Sequence, residues 1–88
     1  MVYYFSLDAE DARVKAILHG EEPKPLILHE ETPEILEDLE NNEFSDWWAV
    51  WKHGAYSTEP GDFESKEQAL EDQYANEAES IYCIIHDC

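Results

Sequence analysis

Residues 29–51, HEETPEILEDLENNEFSDWWAVW, hold the signals from which a fold can be assembled. Thr32 followed by Pro33 is a helix start: the hydroxyl caps orphan amides, and the proline takes a position that needs no N–H. A helix is predicted from Pro33 to Glu40, stopped by Asn41 or Asn42, with Ile35, Leu36 and Leu39 as its narrow apolar stripe. Trp47 to Lys52 then alternates faces as a strand does, with Trp47, Ala49 and Trp51 on one and Trp48 and Val50 on the other. His53-Gly54 reads as a hairpin turn, with residues 55–58 returning.

Toward the N-terminus, Leu26 to Leu28 predicts a short strand after a stiff connector that holds Pro23 and Pro25. Before it, Asp8 is a candidate N-cap and Gly20 a stop, which predicts a helix from Ala9 to His19. Val14, Ile17 and Leu18 form its buried stripe, and Leu7 packs from before the cap. The β-branched and aromatic run Val2 to Phe5 opens the chain as a strand. Toward the C-terminus, Pro60-Gly61 breaks the chain, and Ser65 with Gln68 makes the S-x-x-Q form of a capping box. That box predicts a helix from Lys66 to Glu77 with Ala69, Leu70, Tyr74 and Ala78 inward. Ser80 to His86, SIYCIIH, reads as a closing strand. The expected architecture is α+β, one small sandwich spanning residues 1–88. A mostly antiparallel sheet of four to five strands carries about three helices, packed mainly on one face. A ferredoxin-like split βαβ plan with an added acidic helix is one member of that set.

Charge dominates the composition. Twenty-two Asp and Glu face five Lys and Arg, a formal charge of −17 on 88 residues. Such a chain is repelled by bare nucleic acid and by anionic membrane surfaces, so its expected partner is basic. Aromatic content (three Trp, five Tyr, three Phe) supplies enough buriable area to argue against disorder. The two cysteines, Cys83 and Cys88, read as reduced. No leader-like segment and no long apolar run is present, so the expected location is the cytoplasm.

The excess charge is uneven. Glu30, Glu31, Glu34, Glu37, Asp38, Glu40, Glu43 and Asp46 fall in one stretch, and no Lys or Arg lies between Lys24 and Lys52. An ordinary solvated helix mixes signs to gain i,i+4 pairs; this one forgoes them and takes on repulsion that folding does not need. Carboxylates about 5–6 Å apart along a helix match the rows of charge that nucleic-acid-binding proteins display Arg and Lys to meet. They also accept bidentate contacts from Arg much as phosphate does. Trp48 joins these eight acids as a candidate contact residue, because an exposed Trp is a frequent binding hot spot and its ring stacks on Arg.

Two other constellations are weaker. Cys83, His86, Asp87 and Cys88 have metal-binding side chains but lack the paired spacing of a structural zinc site, so no metal or other cofactor is expected. No nucleophile elbow, P-loop or H-E-x-x-H motif is present, and the chain is not expected to be an enzyme. In size and charge the chain is similar to the small acidic proteins by which phages block restriction or CRISPR nucleases. It is similar in the same way to nuclease-immunity proteins, though no local motif ties it to either. The expected function is a nucleic-acid mimic that inhibits a basic nuclease or related effector. The alternatives are an immunity protein or antitoxin for one cognate toxin, or a nonenzymatic acidic adaptor.

Overall fold

Tyr3, Tyr4 and Phe5 are all buried, so the strand they form must be covered on both faces. In the computed structural model, which describes residues 1–42, 45–54 and 60–87, that strand is the centre of the sheet. The elements are β1 (Tyr3–Ser6), α1 (Leu7–Leu18), β2 (His29–Glu30), α2 (Pro33–Asn41), β3 (Trp47–Ala49) and α3 (Lys66–His86). The strand order is β2-β1-β3, both pairings antiparallel, with Tyr4 opposite His29 on one side and opposite Ala49 on the other. Beyond β3, the Val50 N–H donates to the Tyr3 carbonyl (2.9 Å) and the Gly61 N–H to the Val50 carbonyl (2.9 Å). Gly61 is needed there: a Cβ would stand 2.7 Å from the Phe63 ring.

The core gathers Tyr3, Phe5, Leu26, Leu28, Val50, Phe63 and Ala69, with Leu70 and Tyr74 packed against it. By strand alternation Tyr4 is buried on the opposite face from Tyr3 and Phe5.

Among the described residues the sheet has three strands, a correction to the four or five expected, and two of the expected strands are not where the sequence placed them. Residues 26–28 do alternate, with Leu26 and Leu28 buried and Ile27 exposed, but they carry no ladder. The Leu26 N–H donates instead to the Tyr74 hydroxyl (3.1 Å), and pairing with β1 begins only at His29. Ser80 to His86 is helical, so α3 is one helix of 21 residues where a helix and a strand were expected. No Gly or Pro interrupts the chain after Lys66, and adding a residue to a running helix is far easier than starting a new element. The period also continues: Ala69, Gln73, Glu77 and Ile81 are buried at successive intervals of four. The helix stops at Asp87, whose left-handed backbone (φ 51°) turns its N–H onto the Cys83 carbonyl. With that strand gone, the ferredoxin-like plan does not stand. The expected hairpin return at 55–58 lies outside the described residues.

Candidate functional site

The Thr32 side chain accepts from the Ile35 N–H (3.3 Å) and Pro33 fills the first turn, so α2 starts where the sequence places it. Little else ties it down. Ile35 is its one buried residue, while Leu36 and Leu39 are 43% and 37% exposed. Glu30, Glu31, Glu34, Glu37 and Glu40 are all exposed, and among the described residues none pairs with a Lys, Arg or His. Glu30 borders two shallow hollows, one shared with Glu34 and Asp38 and the other with Glu31 and Pro33, so the end of β2 and the first turns of α2 adjoin.

The remaining acids of the run differ. Asp38 is half-buried and accepts from the Ser45 hydroxyl (2.7 Å), whose oxygen accepts from the Trp47 N–H (3.1 Å). Asp46 caps α1 from a distance of 40 residues in sequence. Its carbonyl accepts from the Leu7 N–H (2.8 Å), and its carboxylate accepts from the Ser6 hydroxyl (2.8 Å) and the Asp8 N–H (3.3 Å). That anion sits where the helix dipole favours it, and it takes the part expected of Asp8. Glu43 lies outside the described residues.

Of the tryptophans, Trp48 is 51% exposed, with its ring nearly parallel to that of Trp51 (14°, centroids 6.5 Å apart). Trp47 is half-buried and meets the His29 ring edge-on at 4.9 Å. Trp48, Leu7 and Leu39 line one hollow with Asp8 and Asp46, which places an apolar strip beside the acidic helix.

A second polar cluster, absent from the sequence-based expectations, joins α1 to α3. The Arg13 guanidinium forks onto Glu77 (2.9 and 3.1 Å), lies 4.6 Å over the Tyr74 ring and donates from Nη1 to the Lys24 carbonyl. Arg13 and Glu77 are only 11% and 4% exposed at the side chain. Glu10 stands beside Glu77; burial first, and then the Glu77 charge, push its carboxyl up to about 7. Its Oε2 is buried without a hydrogen-bond partner. One signal could have revealed this cluster: Glu77 sits on the stripe of Ala69 and Ile81, where a carboxylate is tolerated only if a cation reaches it. Arg13 is that cation.

Among the described residues, no group of three His, Cys, Asp or Glu side chains is placed to hold a metal ion, and no helix is long and apolar enough to cross a membrane. Comparison with protein-family models, curated proteins and solved structures found no match.

Proposed function

We propose that this chain is a nucleic-acid mimic that occupies the basic channel of a nucleic-acid-binding effector, such as an RNA-guided or restriction nuclease, and inhibits it stoichiometrically. One observation carries the proposal: Glu30, Glu31, Glu34, Glu37 and Glu40 stand exposed on α2 and the strand end before it, with no cation of the described chain to neutralise them. Their mutual repulsion opposes folding and the fold gains nothing from them, whereas a row of Arg and Lys on a partner would relieve it. Exposed Trp48 lies close enough to act as an anchor at the margin of that charge. The inhibitor is not catalytic and needs no cofactor.

A displacement experiment tests this. Labelled duplex DNA or guide-bound target is preloaded on purified restriction and RNA-guided nucleases, and the protein is titrated in. Stoichiometric release from at least one of them, abolished by Glu34→Lys/Glu37→Lys/Glu40→Lys, is expected. Binding that leaves the nucleic acid in place, or that survives those reversals, contradicts the mimic. In the second case an immunity-type contact centred on the apolar strip of Leu7, Leu39 and Trp48 is the better account.

A further inference from the structure

None of the 12 residues of α1 is buried. Val14 and Ile17 are half-buried and Leu18 is 41% exposed, so the apolar stripe that ordinarily holds a helix to its protein is weak here. Two polar attachments take its place. Asp46 caps the first turn, and in the middle Arg13 forks onto Glu77 of α3.

The second attachment joins one cation to two carboxylates. Arg13 donates from Nε and Nη2 to Glu77 and from Nη1 to the Lys24 carbonyl. Glu10, nearly a turn earlier on α1, meets Glu77 and the Gln73 amide, and its Oε2 is buried with no hydrogen-bond partner. With both carboxylates ionised, the junction holds one negative charge more than Arg13 balances, part of it on an oxygen that water does not reach. A proton on Glu10 removes that excess and donates to Glu77. Neighbouring elements leave the balance unchanged. β1 and β3 bring Phe5, Trp48 and Ala49 to the cleft that Glu10 borders, and the other exposed charges that line it, Lys52 and Glu79, are of opposite sign. Burial first, and then the Glu77 charge, place the change of charge on Glu10 at about 7.

We propose that α1 is released by rising pH: a proton held between Glu10 and Glu77 clamps its middle to α3, and when that proton passes to solvent Glu10 turns out into the cleft and α1 comes away while the sheet and α3 stay folded. The cleft, about 600 Å³, has room for the side chain. Acid closes the junction because the protonated pair carries no excess charge, and base opens it. The device is independent of what the α2 carboxylates meet.

Two NMR measurements on the intact protein test it. The side-chain carboxyl carbon of Glu10 should titrate at about 7. In amide exchange, expressed as protection relative to an unfolded chain, α1 should open without the sheet, so its amides should be less protected than those of β1 at every pH. Their protection should fall about tenfold from about pH 5 to about pH 8. Glu10→Gln donates to Glu77 at every pH and should hold α1 at its acid-side protection throughout. The variant keeps all 4 histidines, so a response that survives in it belongs to them. It also keeps the side-chain volume and removes a like charge from beside Glu77, so it should fold, and a thermal melt checks this; the two wild-type measurements decide the matter without it. A Glu10 carboxyl that titrates near 4.5 overturns the proposal. So do α1 amides protected as strongly as those of β1, which would mean that the helix leaves only when the whole fold does, and so does an undiminished pH response in Glu10→Gln. Each of these outcomes leaves the mimic standing, since its test is the displacement of nucleic acid.

Discussion

Glutamates on α2 and glutamates between α1 and α3 have the same chemistry and opposite situations. Glu34, Glu37 and Glu40 are exposed and, among the described residues, without ion pairs, whereas Glu77 is held by Arg13 with its side chain 4% exposed and Glu10 is pressed against it. The buried pair is part of what joins two helices, and the chain supplies a cation for it. The exposed row joins nothing within the described residues. The difference locates the unpaired charge: it is on exposed carboxylates that no cation of the described residues meets.

The largest effect should come from breaking the buried side of the comparison. Arg13→Ala leaves Glu77 and Glu10 facing each other without a cation. Removing one partner of a buried ion pair costs about 3–5 kcal/mol, enough to unfold much of a domain this small. Urea unfolding followed by tryptophan fluorescence measures it; a loss below about 1 kcal/mol would place the pair with ordinary surface ion pairs.

Glu10 then sharpens the comparison through pH. Its folded value, about 7, lies above the ordinary carboxyl value of 4.5, so its contribution to stability is fully present below the lower value and is lost as pH rises through the higher. Between about pH 5 and pH 8 this amounts to about 1–2 kcal/mol, after discounting for the solvent that screens a half-buried group. Glu10→Gln keeps a donor toward Glu77 at every pH, so the variant should be the more stable protein at about pH 8 and match wild type at about pH 5. Parallel stability profiles for the two proteins would contradict the coupling.

How much of this the sequence disclosed follows from the range of each interaction. Helix α2 was legible to within a residue because Thr32 and Pro33 act on their own neighbours, and its exposed charge could be read from missing Lys and Arg. The start of α1 was not, since its cap, Asp46, is 40 residues away in sequence and was expected to face a partner. Ser80 to His86 misled because Ile81, Ile84 and Ile85 have strand composition, while the helix begun at Ser65 carries through them. Gln73 and Glu77 were passed over because carboxylates and amides suggest a surface until the four-residue spacing from Ala69 to Ile81 is laid over them.

Smaller effects belong to the exposed side. Thr32→Ala removes the cap of α2 and should cost about 1 kcal/mol, read as a lower unfolding midpoint in urea. Smallest of all, Glu34→Gln/Glu37→Gln/Glu40→Gln should leave stability within about 0.5 kcal/mol of wild type or raise it slightly, since it removes repulsion and breaks no bond. A clear loss of stability would show that these side chains serve the fold after all.

The most direct measurement is the association rate between this protein and an effector that releases nucleic acid to it, followed by stopped-flow from about 50 to about 500 mM salt. The rate should fall steeply with salt for wild type and much less steeply for the triple glutamine variant, because long-range attraction to the α2 carboxylates steers the encounter. A rate that is flat across that range, or the same slope for both proteins, would mean the acidic face is not what the partner meets.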